Sequence, residues 1–418
     1  MNRTRSSTKS LWFIGALCLI LAALIVYILV GVFANQNALF NSSSFRKAMT
    51  QLFNKPAGQI TQEDLNKVEV VMIDDTNGSV YFGFKELFDT IDKNAKLEDE
   101  SKAEDYSKHI TTVSLATPIT SFDDYKLLKN VKYLSVTDCS TFKSIDQLSE
   151  FKNLVYLYLD NTDVADVAPL KSFAKLEGLY MSNTKVTDLS PLKEMPQLTT
   201  LAIDGLNLES LKPIQDMKLT YLSAANNKLT DLAPLAGMTS LKTLDVSYNQ
   251  ISSLEPLKAM TKLAYLSCNE NEKLSDLSPL KDLTTLKTFQ ASKCALEDLS
   301  ALTGSKKLEY LSVGGNKITS LAPLTEMHSL YYVDINANQI SDGKPLADKT
   351  KLTYLNITDN KFTEYGFLDK LGNAQIVGRP ATTSKAPATT TQAPATTQAP
   401  ATTQAPATTQ APATSKAS

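Results

Sequence analysis

The stretch Leu241 to Lys262 reads LKTLDVSYNQISSLEPLKAMTK, and the order of its apolar residues decides the fold. Leu241, Leu244 and Val246 alternate as on a short strand with one face inward, which leaves Thr243 and Asp245 on the other face. Asn249 stands where the chain turns out of that strand, and a buried amide there can bond backbone groups that the sheet leaves unpaired. Ile251, Leu254, Leu257 and Met260 then close the core from the return side.

The same unit recurs along most of the chain. Units begin at Ile110, Val131, Leu154, Leu176, Leu198, Leu219, Leu241, Leu263, Leu286, Leu308, Leu330 and Leu352, at spacings of 21 to 23 residues. The order L-x-x-L-x-L-x-x-N-x-L followed by a return arm is the leucine-rich repeat. Asn227, Asn271, Asn316, Asn338 and Asn360 fall at the place of Asn249. Pro169, Pro191, Pro213, Pro234, Pro256, Pro279, Pro323 and Pro345 share one return-arm position, where proline suits the start of a short helix and prevents a second strand. One unit cannot bury its own apolar face, so the units must stack. Residues 110–373 are thus expected to form twelve coils of an α/β solenoid, a leucine-rich-repeat horseshoe with a parallel β-sheet roughly 53 Å long on its concave face. Residues 374–379 would form its C-terminal edge. The stretch Asn269 to Glu272 carries one extra residue and is expected to bulge at the sheet edge, as a functional loop or as a tolerated insertion.

Residues 34–109 precede the coils and are expected to cap them. Phe45, Ala48, Met49, Leu52 and Phe53 fall on one face of a helix. Thr61 can cap a second helix, with Ile60 and Leu65 as its hydrophobic staple. Val68 to Ile73 and Val80 to Phe84 flank Asn77-Gly78, a hairpin turn. The acidic segment Asp89 to Asp105 is expected to be a solvated helix or loop.

The N-terminus predicts export. Arg3, Arg5 and Lys9 precede an apolar run from Leu11 to Phe33, and 23 such residues would span about 34 Å as a helix, enough to cross a bilayer. Residues 1–10 are then a cytoplasmic tail, and everything after Ala34 lies outside the cell membrane. A cleaved signal peptide ending near Val32-Phe33-Ala34 is the rival reading, although its apolar core is usually shorter; both readings export the repeats.

TDLSPLKEM (Thr187–Met195), TDLAPLAGM (Thr230–Met238) and the segment SFRKAMTQLFNKPAGQITQEDL (Ser44–Leu65) resemble the repeats and the helical cap of internalin-type bacterial surface proteins. The resemblance implies an exported Gram-positive protein that binds proteins, in some members on a host cell. Two departures are an immunoglobulin-like region and a Leu-Pro-x-Thr-Gly sorting signal, neither of which follows the repeats here. Residues 380–418 instead repeat ATTQAP, a composition that buries no core and favours extended, solvated polyproline-II segments. That tail offers contact with the cell wall and sites for O-glycosylation. Only about ten residues separate the apolar run from the cap, which would hold the coils near the bilayer and favour a partner in the envelope.

Chemistry for catalysis is sparse. Lys+Arg number 42 against 44 Asp+Glu, so no basic surplus points to nucleic acid. Two histidines, His109 and His328, stand far apart and read as surface residues. Cys139 and Cys294 take the ladder place of Asn249, Cys268 takes a strand-core place, and all three read as buried hydrophobes. A disulfide between Cys139 and Cys294 would have to cross seven coils. Asp75, Asn77 and Gly78 imitate part of a calcium loop, but Ile73 and Phe84 replace its first and last ligands. Neither a cofactor nor a metal is expected, and binding is expected in place of catalysis.

The outward face of the sheet holds the candidate site. Tyr133, Tyr156, Tyr221, Tyr265, Tyr310, Tyr332 and Tyr354 take the third position of their units, and Tyr158 and Tyr180 the fifth. Tyrosine gives a large contact area with a polar tip, which suits recognition, yet cross-strand stacking that only stabilises the sheet explains the same rings. Nine outward acids, including Asp160, Asp204, Asp245 and Asp334, face four lysines, Lys132, Lys242, Lys287 and Lys293. Such a trough fits a basic or neutral protein, or a glycan, and disfavours nucleic acid. Two uses follow: an anchored extracellular binding module, with adhesion as one outcome, or a scaffold for the cell's own envelope proteins.

Overall fold

The computed structural model describes residues 40, 42–74, 78–95, 109–114 and 122–380. The expected membrane span Leu11–Phe33, the basic residues before it, the hairpin tip at Asn77, the acidic stretch beyond Ala95 and the tail from residue 381 lie outside the described residues. Among the described residues no helix is long and apolar enough to cross a membrane.

Each coil contributes a strand of three residues. In chain order these are β4 (Tyr133–Ser135), β5 (Tyr156–Tyr158), β6 (Gly178–Tyr180), β7 (Thr200–Ala202), β8 (Tyr221–Ser223), β9 (Thr243–Asp245), β10 (Tyr265–Ser267), β11 (Thr288–Gln290), β12 (Tyr310–Ser312), β13 (Tyr332–Asp334) and β14 (Tyr354–Asn356). A further strand, β15 (Gln375–Val377), extends the sheet from the segment expected to be a bare edge. Neighbours pair in parallel and in register, so that Tyr310 lies beside Tyr332 and Tyr332 beside Tyr354. The middle residue of every strand points into the solenoid, and Leu244, Leu266 and Phe289 are each 0 % exposed. A Leu→Ala change at such a site costs roughly 2–5 kcal/mol.

The asparagines form the expected ladder. Asn249 Nδ2 donates to the carbonyls of Ala224, Val246 and Ser247, each at 3.0 Å. Its Oδ1 accepts the N–H of Leu229 from the preceding coil at 2.9 Å. Asn271, Asn316, Asn338 and Asn360 repeat the pattern. The residue just before each ladder position takes a left-handed conformation, which swings the chain out of the sheet; Tyr248 and Ala337 do so at φ 55° and 49°. Cys294 substitutes for the ladder asparagine by placing Sγ 3.3 Å from the Cys268 carbonyl, and burial pushes its thiol up to about 11. Cys139, Cys268 and Cys294 are free thiols. The extra residue near Glu272 is absorbed in a turn, where the Leu274 N–H donates to the Asn271 carbonyl at 2.9 Å, and the strands on either side keep their register.

Return arms are short 3-10 turns with proline near their start, as at Ser190–Glu194 and Glu255–Leu257. An acid two residues ahead often closes the turn: Asp188 accepts the Ser190 N–H at 2.8 Å, and Asp276 does the same for Ser278. Lys349 breaks the pattern. It takes the core position that Met260 and Met327 fill in other coils, yet it is fully buried, with Nζ 2.6 Å from both the Thr325 carbonyl and Asp348. Asp348 is exposed, so removing the buried ammonium leaves no buried charge behind, and an apolar side chain of similar volume in its place is neutral or stabilising by about 1–4 kcal/mol. Lys349→Met should therefore raise the midpoint of thermal unfolding, followed by circular dichroism.

The cap contains α1 (Ser43–Phe53), α2 (Gln62–Leu65), a hairpin of β1 (Val70–Asp74) and β2 (Ser79–Gly83), and α3 (Lys85–Ala95). Phe45, Ala48 and Met49 bury one face of α1, and Thr61 with Asp64 forms a capping box on α2. One expectation needs correction. The segment at Ile110 is not the first coil: β3 (Thr111–Ser114) pairs antiparallel with β2, at the end of a fifteen-strand sheet ordered β15 to β4, then β1, β2 and β3. The strand beside β4 is β1, parallel to it, with Val70 opposite Tyr133. Burial explains the choice. Val70, Val71, Met72 and Ile73 are all at most 2 % exposed, so β1 is apolar on both faces and belongs inside the sheet. In β3 only Val113 is buried, as suits an edge.

Candidate binding face

Because side chains alternate along each strand, the first and third residues of β4 to β14 share one face, opposite the leucine core. That face carries the expected tyrosines, in two groups with different surroundings.

The first group lies beneath the chain's own helix. Leu87, Phe88 and Ile91 of α3 pack on Val70, Met72, Tyr133, Tyr156, Tyr158, Tyr180 and Ala202, a cluster separate from the solenoid core. The Tyr156 hydroxyl donates to Asp92 Oδ1 at 2.9 Å, and burial together with that carboxylate holds its pKa well above the ordinary value. Lys132 Nζ sits 4.8 Å from the centre of the Phe88 ring while pairing with Glu69 at 2.8 Å. The Tyr158 and Tyr180 rings stack at 4.1 Å. Gly178 makes room for Tyr156, since a Cβ there would lie 2.5 Å from the ring. Tyr133, Tyr156, Tyr158 and Tyr180 are at most 4 % exposed and are closed to a visitor while α3 stays in place. The acidic segment was expected to be solvated; its first part is instead amphipathic, because Leu87, Phe88 and Ile91 fall on one side of the helix.

The second group lies toward the C-terminal end. Tyr310 stacks on Tyr332 at 4.1 Å and 6°, and Tyr332 on Tyr354 at 4.5 Å and 11°, with Val377 of β15 against the stack. Tyr331, 41 % exposed, meets Tyr310 edge-on at 6.4 Å. It escaped the sequence reading because it sits at the second position of its unit, one place before the row of rings; an aromatic at an outward position was the available signal. Between the groups stand Tyr221 and Tyr265, with Tyr180 and Tyr221 6.4 Å apart.

The acids prove to be braced by the sheet. Asp204 accepts from Ser223 Oγ at 2.6 Å, the Ala225 N–H at 2.7 Å and Ser182 Oγ at 3.1 Å. Asp160 accepts the Ser182 N–H at 2.7 Å, Asp245 the Ser247 N–H at 2.9 Å, and Asp334 the Asn336 N–H at 3.1 Å. Burial outweighs these bonds and pushes Asp160 and Asp245 up to about 6, and Asp204 and Asp334 upward as well. His328 is exposed and 3.6 Å from Asp348, far from this face in the fold. Among the described residues, no group of three or more His, Cys, Asp or Glu side chains could hold a metal ion.

With this geometry in place, comparison with known proteins is informative. Residues 218–259 and 239–282 match the family described as Leucine Rich repeats (2 copies). No curated protein matches the sequence. Among solved structures, an internalin, InlF, from Listeria monocytogenes is similar with a TM-score of 0.61 at 21 % identity, over 83 % of this chain and 97 % of that one. A leucine-rich-repeat protein of Leptospira interrogans is similar with a TM-score of 0.50 at 19 % identity, over 62 % of this chain and 81 % of that one. The repeats over residues 218–282 and the fold of the whole sheet are thus those of a leucine-rich-repeat solenoid, similar in architecture to the internalin structure.

Proposed function

We propose that the protein is a binding module that captures a protein ligand on the outer face of its sheet, from β8 toward β14. One observation carries the reading. The tyrosines of β4 to β6 already hold the apolar side of a helix, α3, and the stack at Tyr310, Tyr332 and Tyr354, itself only 4–7 % exposed, underlies the 41 % exposed Tyr331 with no described helix over it. Stacked rings stiffened by their neighbours lose little entropy on contact, which suits recognition of a protein surface. Changing Tyr310, Tyr332 and Tyr354 together to serine in the full-length protein should abolish recovery of the ligand in a pull-down and leave the far-ultraviolet circular dichroism unchanged. Undiminished recovery by the folded variant contradicts the assignment.

Display at a membrane belongs to the same proposal. Three basic residues followed by the apolar run Leu11–Phe33 support an N-terminal anchor with the repeats outside the cell. Protease added to intact cells should release solenoid fragments. Protection that lasts until the wall is stripped would favour a scaffold within the envelope.

A further inference from the structure

Midway along the outer face, at β7 to β9, the sheet gathers unsatisfied negative charge around an unsatisfied hydroxyl. Asp204 and Asp245 lie on either side of β8, whose first residue is Tyr221, and Asp245 pairs in register with Ser223. The Tyr221 hydroxyl is buried with no hydrogen-bond partner. Asp245 lies diagonally across from Tyr221 in the paired strands, Asp204 accepts from the Ser223 hydroxyl two residues along β8 at 2.6 Å, and the Tyr180 ring is 6.4 Å from that of Tyr221. No lysine or arginine of the described residues forms an ion pair with Asp160, Asp204 or Asp245. Some other acids do have a cation: Asp64 has Lys55 and Lys67, Glu69 has Lys132, and Glu270 has Lys293.

A half-buried carboxylate without a cation is costly, and so is a buried hydroxyl without a partner. Serines and backbone N–H groups satisfy Asp204, but they are neutral donors and leave its charge uncompensated. Asp245 has less, namely Ser247 alone. Aromatic rings beside two acids form the setting in which an ammonium or guanidinium group is held by charge-assisted bonds and by the ring faces together. A neutral or anionic group would gain neither.

Resting on the reading that this face binds a protein, we propose that β7 to β9 form a site for one cationic side chain of the ligand. The charged head of an arginine or lysine would lie among Asp204, Asp245 and the Tyr221 hydroxyl. Tyr221 as a residue is partly exposed.

The test uses the full-length protein in detergent micelles and three tripeptides, acetyl-Gly-Xaa-Gly-amide, in which Xaa is arginine, lysine or the neutral isostere citrulline. Calorimetric titration should show the arginine or the lysine peptide binding at least tenfold more tightly than citrulline, and the better of the two names the ligand's residue. Asp245→Asn and Tyr221→Phe, each checked by circular dichroism to be folded and cooperative in unfolding, should reduce that preference to threefold or less. Equal binding of all three peptides, or a full preference surviving in folded Asp245→Asn, overturns the site. The triple serine variant at Tyr310, Tyr332 and Tyr354 separates the two proposals. If it still captures the ligand while the cation preference stands, the ledge assignment fails and the cation site does not; loss of capture without any cation preference is the reverse.

Discussion

Replacing Asn249 by leucine should destabilise the fold by about 1–3 kcal/mol, seen as a lower midpoint in urea with the far-ultraviolet spectrum retained below it. The size follows from the partners left behind. The Leu229 N–H loses its partner outright, while the carbonyls of Ala224, Val246 and Ser247 each lose one donor and keep another, from Asn227, Asn271 and the Asn226 N–H respectively. An orphaned group costs about 1–3 kcal/mol, less whatever water can reach it. Leucine adds apolar volume, so the loss measures the hydrogen bonds and not a cavity. Thr162 and Thr184 supply the natural comparison. They take the same place in earlier coils and bond only a carbonyl of their own coil, at 2.7 Å and 2.9 Å, so Thr162→Val should cost less. Equal losses at Asn249 and Thr162 would mean that the ladder contributes little beyond packing.

Mild acid should stabilise the protein, which is unusual for a chain with this many acids. Burial raises Asp160 and Asp245 to about 6 in the folded state, above the 3.8 of the free side chain. A raised carboxyl binds its proton more tightly folded than unfolded. Its stabilising contribution is therefore complete below pH about 4 and is lost as pH rises through about 6. Between pH 7.5 and pH 5 the melting temperature should rise, with each group contributing on the order of 1–3 kcal/mol. Asp188, Asp298 and Asp348 act in the opposite sense, since Ser190, Ser300 and Lys349 respectively hold their carboxyls below the ordinary range. Their contribution is lost only below pH about 4, which sets an acid limit to the gain. Asp245→Asn should raise the melting temperature at pH 7.5 and flatten its rise toward pH 5. A melting temperature that falls steadily from pH 7.5 to 5 contradicts the buried placement of these acids.

The two predictions rest on different parts of the unit, and only one of those parts was readable from residues alone. The ladder was legible because Asn249 and its equivalents recur at a fixed distance from three inward apolar residues, and a buried amide serves that turn as both donor and acceptor. The row of outward tyrosines was legible for the same reason, since strand alternation fixes the face. What lies over the face was not. Leu87, Phe88 and Ile91 are three apolar residues among many charged ones, and their grouping matters only once α3 meets Tyr156 and Tyr180 across the sheet. Tertiary contact with a surface elsewhere in sequence leaves little local trace.

The error at Ile110 has a related cause. Ile110, Val113 and Leu115 reproduce the apolar spacing of a coil at the right distance from Val131, so period alone includes them. The competing fact was the apolarity of Val70 to Ile73 on both faces, which demands two sheet neighbours. Likewise, nine acids on the face read as a general negative field. The sheet in fact braces several of them with serine hydroxyls and backbone N–H groups, and leaves Asp245 with a single serine. Pattern gives the face; burial and partners distinguish its regions.

The claim on which the functional account depends is that the ligand lies on the outer face beyond β8. Hydroxyl-radical footprinting of the full-length protein, with and without its captured ligand, measures that directly. Tyr331, 41 % exposed, should lose reactivity on binding, while Tyr248, in the turn that leads out of the sheet, should keep its own. Unchanged Tyr331 together with protection on the return arms or the cap would contradict the account.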